Sequence, residues 1–251
     1  MKKLLVIGGV LVGLGIIGVI VTAFFLGNIV TAGVNRFGPQ ITQTKVVLTS
    51  AAISPLSGSG TLSGLVVGNP KGWSDADLCS LGKVHIKLQP FSILGDHIII
   101  DEIMIEAPEF NYETKIVASN VGDLLKNIEQ LTGSAATPQA TAKNGKPIKF
   151  EVKKFRLQNG AVRLGFGTSA MKLPMPPVAL DDLGTAQGGI TPDQLVAAVM
   201  RSVTPSVIAA TTQAVGKLIP TGGAATAEGL KNAGAAIKGL FGGSKDEKKK
   251  P

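Results

Sequence analysis

From Leu4 to Leu26 the chain carries no charged residue, and from Ile41 onward apolar and polar positions begin to alternate. The first pattern predicts a helix about as long as one that crosses ~30 Å of hydrocarbon. The second predicts half-buried strands. Lys83–Gln89 is the cleanest case: Val84, Ile86 and Leu88 point one way, and Lys83, His85, Lys87 and Gln89 the other. Pro90 ends that strand and Gly95-Asp96 marks a turn. The next strand, His97–Glu106, is apolar on both faces at Ile98-Ile99-Ile100 and resumes alternation at Ile103 and Ile105. A strand apolar on both faces needs a cover on both sides.

Two earlier strands, Thr44–Thr49 and Thr61–Val67, flank the turn residues Ser54–Gly60, and a fifth covers Phe110–Lys115. Ser119-Asn120 reads as a helix start, followed by Leu124, Leu125, Ile128 and Leu131 at helical spacing. Such a short, one-sided helix should lie on a sheet. Residues 133–145 are small and polar and read as a flexible loop. Beyond them, Phe150 and Val152 are out of phase with Phe155 and Leu157, which predicts a bulge at Lys153-Lys154. Asn159-Gly160 is a two-residue hairpin signal, with Val162, Leu164 and Phe166 on the returning strand. Thr191-Pro192-Asp193-Gln194 has the make-up of a capping box, and Leu195, Val196, Val199 and Met200 form the stripe behind it. Pro205 interrupts that stripe.

The fold class expected is therefore α+β: an N-terminal transmembrane helix, then a curved antiparallel β-sheet with a few packed helices. Residues 1–3 form a cytoplasmic N-terminus, 4–26 the membrane helix, 27–40 a tether, 41–204 the β-rich domain and 205–251 a helical or flexible basic tail. Lys2 and Lys3 precede the apolar run and the next charge is Arg36, which places the N-terminus in the cytoplasm. The rival reading is a cleaved signal peptide, but such peptides carry an apolar region of only about 7–15 residues. Gly9, Gly13 and Gly18 form a small-residue stripe of the kind through which membrane helices associate.

Composition narrows the chemistry. With one Trp, one Tyr and nine Phe, the core must be built from Val, Ile and Leu. Cys79 is the single cysteine and reads as a small buried hydrophobe beside Leu78 and Leu81. No disulfide is available, so the domain must be stabilised by burial alone. The net charge of +8 is concentrated in Lys143, Lys146, Lys149, Lys153, Lys154, Arg156, Arg163 and Lys172, and in the terminal lysines. For a domain outside the cytoplasm the partner implied is anionic lipid rather than nucleic acid. The bland alternative is a solvated strand face.

Reactive groups do not converge. His85 and His97 lack metal-motif spacing, and Asp101-Glu102, Glu106 and Asp181-Asp182 have no partner at a telling distance. Gly58-Ser59-Gly60 lacks the Lys-Ser/Thr of a phosphate loop. No catalytic residue, metal site or cofactor is expected.

The segment Ile53–Pro70, with Leu62-Ser63-Gly64-Leu65-Val66-Val67-Gly68-Asn69-Pro70 at its heart, resembles the start of AsmA-like envelope proteins. The order continues to match through Ser80–Leu88, Ile98–Pro108, the capped helix Asn120–Leu131 and Leu180–Gly184 with Gly189–Pro192. The resemblance spans roughly Leu4 to Thr204. It implies a single-pass protein of the inner membrane with its bulk in the periplasm, acting on lipids in maintenance of the envelope and its outer membrane. Long members form an apolar-lined groove similar to that of chorein-type lipid transporters. This chain carries about one repeat of sheet, too little to bridge an envelope as a monomer.

On this reading the protein is not an enzyme; it binds or handles membrane lipids. Val84, Ile86, Leu88, Ile98, Ile100, Phe150 and Val152 are the candidates to line a lipid groove. For each one singly, plain core is the simpler reading. The alternative function is a structural or assembly module that forms a homo-oligomer through its membrane helix and docks an envelope protein partner.

Overall fold

Alternation along the chain does produce strands, and they join one sheet. A computed structural model describes residues 2–115, 118–134, 140–142, 144–164 and 170–218. The helices are α1 (Lys2–Thr42), α2 (Asn120–Leu131) and α3 (Pro192–Leu218). The strands are β1 (Val46–Ile53), β2 (Ser59–Gly68), β3 (Asp77–Ser80), β4 (Lys83–Leu88), β5 (His97–Glu106), β6 (Glu109–Tyr112), β7 (Lys149–Gln158), β8 (Ala161–Leu164), β9 (Met171–Pro174) and β10 (Val178–Leu183). Short 3-10 turns occupy Pro90–Leu94 and Thr185–Gln187.

The protein is α+β, but the sheet is mixed rather than antiparallel. β5 runs parallel to β7, and β6 parallel to β8. The cause is the long connection through α2, which carries the chain back to the end of the sheet from which it started; only such a crossover can join parallel neighbours. All other pairings are antiparallel.

Register shows that most of the short strands are halves of longer ones. β3 and β4 pair with the same edge of β2, and β5 and β6 follow them with the same register on both sides of Gly82 and Ala107. β7 with β8, and β10 with β9, continue the pattern, so the ten strands trace six paths. Each path beyond β1 bends at one shared line: Gly64, Gly82, Ala107, Asn159 and Pro176 stand opposite one another across the sheet. Four of these five have positive φ, from 49° at Ala107 to 67° at Gly64. A left-handed residue turns a strand aside without ending it, and glycine and asparagine adopt that conformation at least cost. Backbone bonds flank the line, including Gly64 N–H to Gly82 C=O at 2.7 Å and Ala107 N–H to Gln158 C=O at 2.9 Å. The sheet is thus creased along every path but that of β1.

Asn159-Gly160 belongs to this crease and not to a hairpin. A tight hairpin of that type needs positive φ at both central residues; here Asn159 is at 53°, while Gly160 is not left-handed. β7 and β8 accordingly never pair. Phe166, expected on the returning strand, lies outside the described residues. The phase change at Lys153-Lys154 is present, with Val152 and Phe155 both buried, but the expected bulge is not: β7 keeps one register against β5 and against β10 on either side of it. Its partner distortions are Asp182, at φ 54°, and a register shift at Lys87/Leu88.

Residues 27–40, expected to be a tether, are the second half of α1, which is helical without interruption to Thr42. This half lies along the open edge of β1. At Gly27 a Cβ would overlap the Ala51 carbonyl, and at Gly38 it would come within 2.8 Å of Val46. Between them the Asn35 amide acts as a strand in miniature: its Oδ1 accepts from Leu48 N–H at 2.6 Å and its Nδ2 donates to Leu48 C=O at 3.1 Å. A covered edge is closed to pairing with other chains.

The core lies between one sheet face and the helices. α2 starts as expected, with Ser119 Oγ accepting from Gly122 N–H at 3.2 Å. It buries Val121, Leu124 and Ile128. α3 starts on its capping box, Gln194 Oε1 accepting from Thr191 N–H at 3.0 Å. It then continues past Pro205 to Leu218. Pro205 faces solvent while Val203 and Val207 are buried. The carbonyl that loses its partner is therefore on the wet side, and packing holds the helix together. The remainder of the expected tail, 219–251, lies outside the described residues.

Among the described residues, the stretch long and apolar enough to cross a membrane is Pro192–Thr212 in α3; most side chains of the expected membrane helix Leu4–Leu26 lie outside the described residues. This part of α3 is bound into the domain. Asp193 is buried and accepts from Gly133 N–H at 3.1 Å, and Arg201 pairs with Glu129 of α2 at 2.7 Å. It is apolar because it covers the sheet.

Candidate functional site

The seven residues proposed to line a groove do fall on one sheet face. Ile86 stands opposite Ile103, Leu88 opposite Ile100, Ile100 opposite Val152 and Ile98 opposite Phe150. That face is filled by the protein itself. Val84, Leu88, Ile100 and Val152 are buried in the central cluster, and Ile86, Ile98 and Phe150 are half-buried against it. The same cluster takes Val121, Leu124 and Ile128 from α2 and Ala197, Val203 and Val207 from α3. The face is core, closed by α2 and α3. Of the seven, Ile86 also borders an open groove.

The small-residue stripe of α1 is described only at Gly18, where, among the described residues, no other element comes within 4 Å of an added Cβ. The side chains of the segment around Gly9 and Gly13 lie outside the described residues.

An open groove of about 950 Å³ runs along the opposite sheet face, between α1 and the strands. Asn28 and Thr31 form one wall; Ser50, Thr61, His85, Lys87, Glu102 and Met104 form the floor. Its floor comes from the polar positions of the alternation, so sequence periodicity marked these residues as solvated without showing that α1 rises beside them. His85 lies here as expected, with Nδ1 3.4 Å from Thr61 Oγ1.

At the far end of the sheet a polar lattice fixes the loop that joins β2 to β3. Asn120 is fully buried and fully bonded. Its Oδ1 accepts from Glu113 N–H and Val121 N–H, and its Nδ2 donates to Asn69 Oδ1 at 2.8 Å and Asn111 C=O at 2.7 Å. Glu113 receives bonds from Asn69 and from the Ser74 hydroxyl and backbone N–H. Trp73 Nε1 donates to Asp123 at 2.9 Å while Lys115 Nζ lies 4.5 Å from its ring centre. The Leu62–Pro70 signature thus has structural work at both ends: Gly64 makes the crease, and Asn69 joins this lattice.

The basic stretch is answered by acids on neighbouring strands. Lys153 pairs with Asp101 at 2.8 Å, Arg156 with Asp181 at 2.6 Å, and Lys172 and Arg163 both meet Glu109. The hydrogen bond from Lys153 lowers the pKa of Asp101 and raises that of Lys153, and the bond from Lys172 lowers that of Glu109. Asp181-Asp182, read from the sequence as a loop, lies in β10. Cys79 is buried as expected, and burial pushes its thiol up to about 12, so no thiolate is available near neutral pH. His97 Nε2 stands 3.4 Å from Glu151. Among the described residues, no three His, Cys, Asp or Glu are grouped to hold a metal ion.

Comparison with protein-family models, with curated proteins and with solved structures finds no match to this chain.

Proposed function

We propose that this is an AsmA-like, membrane-anchored envelope protein without turnover chemistry, which handles lipid at the surface of the inner membrane. Leu4–Leu26 spans that membrane with the N-terminus in the cytoplasm, and the sheet domain stands in the periplasm. The observation that carries the reading is the continuity of α1. One helix runs from Lys2 to Thr42, uncharged from Leu4 to Leu26 and clamped to β1 beyond that. Such a helix holds the domain against the bilayer instead of letting it swing on a linker. The order of elements around Gly64, Asn69 and the capped α2 supports the AsmA-like assignment.

Alkaline carbonate extraction of membranes bearing the full chain, with protease added from the periplasmic side, tests the anchor. The chain should stay with the membrane and the sheet domain should be cleaved. Release into the carbonate supernatant would end the anchored reading. Lipid handling is tested separately, by mass spectrometry of phospholipid retained through gentle solubilisation.

A second reading, an assembly module that docks an envelope partner, is favoured by the closed core and the polar groove beside α1. Cross-linking through a photoreactive residue at Met104, on the groove floor, would capture such a partner.

A further inference from the structure

We infer that the domain has a second, peripheral membrane contact: an apolar tip formed by Leu56, Phe91 and Leu94 that sits in the bilayer interface beside α1. The inference rests on the anchored reading above and adds to it a surface that touches lipid.

α1 runs antiparallel to β1. Gly27 meets Ala51, Asn35 meets Leu48 and Gly38 meets Val46. Followed toward its N-terminus, the helix therefore leaves the domain past the end of β1, where Ile53 gives way to the turn into β2. At that same end β4 finishes and β5 begins, because Ser59 pairs with Lys87 and Leu88 with Ile100. The β1–β2 turn and the 3-10 turn Pro90–Leu94 are thus neighbours, joined by the bond from Leu88 N–H to Gly58 C=O at 3.0 Å.

These two turns display Leu56, Phe91 and Leu94 at 74%, 86% and 83% exposure. A single exposed apolar side chain needs no explanation, but a cluster at one end of a domain marks a contact. On α1 the adjoining Phe25 and Ile29 are also bare, at 61% and 64%. The other exposed large hydrophobics on the sheet and α3, Val47 and Ile208, are far less so.

The turns are built rather than slack. Ser54 N–H bonds to Ser59 C=O at 2.8 Å, and Gly58, at φ 69°, bonds back to Ser54 C=O at 2.9 Å. Ser92 Oγ donates to Gln89 C=O at 2.7 Å and accepts from Ile99 N–H at 3.0 Å. Ile93 packs against the core while Phe91 and Leu94 point away from it.

Height decides the occupant. A strand advances about 3.3 Å per residue and a helix about 1.5 Å. The turn beyond Ile53 therefore lies roughly level with the last turns of the uncharged run Leu4–Leu26. If that run is in hydrocarbon, the tip is at the headgroup boundary, where aromatic and aliphatic side chains settle favourably. Lys146, paired with Asp96 at 3.9 Å and otherwise open to solvent, flanks the same end and suits anionic headgroups.

The test uses the full chain reconstituted into vesicles of phosphatidylethanolamine and phosphatidylglycerol doped with lipid brominated high on its acyl chains. Phe91→Trp and, separately, Leu56→Trp should add blue-shifted emission over the wild type that bromolipid quenches. Val47→Trp, near the opposite end of the sheet, should add emission that bromolipid leaves untouched. If the vesicle-bound chain resists carbonate and neither tip variant is quenched, the tip contact is wrong and the anchor stands. If carbonate strips the chain from the vesicles, the anchor is wrong and the tip inference falls with it. Quenching of Val47→Trp to the same degree as the tip variants would also overturn it, since the domain would then lie flat on the bilayer.

Discussion

The two ends of the sheet are built on opposite terms. At the end that holds Asn69, Trp73 and Asn120, long polar side chains cross between loops and α2, and the buried amide of Asn120 has every donor and acceptor engaged. At the other end the turns satisfy their own backbones, and their apolar side chains are left bare. The first arrangement is what a fold needs to specify itself. The second costs solubility and returns no stability to the isolated domain, so its explanation must lie outside it. Burial and bonding mark the first end; bare apolar side chains mark the second, where we place the membrane contact.

This contrast can be broken most directly at Asn120. Replacement by Ala removes four hydrogen bonds and strands buried groups on three segments, which should cost about 3 kcal/mol. Denaturant unfolding followed by circular dichroism would show it; a loss below half that figure would mean the lattice is not what holds this end. Next comes the crease. Gly64→Ala puts a Cβ against the Thr49 side chain at a positive φ, for an expected loss of about 2 kcal/mol. Gly133→Ala, also at positive φ but with open space around it, should lose about 1 kcal/mol. Equal losses at the two sites would leave the crease without special importance.

Smaller again is Asn35→Ala. It uncovers Leu48 on the edge of β1 and should cost about 1 kcal/mol, with increased self-association seen by analytical ultracentrifugation. At the apolar end, Leu56→Ser with Leu94→Ser should leave stability within about 0.5 kcal/mol of wild type, in contrast to Asn120→Ala. Mild acid should have the least effect of all. The pKa values of Asp101 and Glu109 are lowered in the fold, by Lys153 and Lys172 respectively. The stability they contribute is present above the ordinary carboxylate range and is lost as pH falls through and below it. The Asp101→Asn variant should show a shallower acid limb; an unchanged limb would assign the acid sensitivity elsewhere.

Much of the fold was legible from periodicity. β4, β5 and α2 lie where alternation and the Ser119 cap put them, and the phase break at Lys153-Lys154 is present, though without the bulge expected there. Parallel pairing was not legible, because strand direction follows from where a crossover returns and not from the strands. Asn159-Gly160 misled for a physical reason. The residue type reports a tolerance for positive φ, and one such residue bends a strand where two reverse it. Residues 26–41 did carry a signal that the tether reading passed over: Leu26, Val30, Phe37 and Ile41 recur at helical spacing and pack against the core, while Gly27, Asn35 and Gly38 meet the edge of β1. The seven groove candidates were correctly placed on one face, yet only the position of α2 and α3 decides that the face is closed. The apolar tip left no periodic signal at all. Its residues sit on separate turns and meet only in the fold.

On the anchored reading proposed above, one helix shared by the anchor and the domain makes residue count into an angle. Each residue advances an α-helix by about 100°, and no joint between Lys2 and Thr42 can absorb a change. Adding a single residue to α1 ahead of Phe25 would turn the domain by more than a quarter of a circle about the helix axis, while a complete turn of added helix would nearly restore its heading and lift it by about 5 Å. Which flank of the domain faces along the membrane is thus set by helical phase, much as a key's teeth are set relative to its shaft.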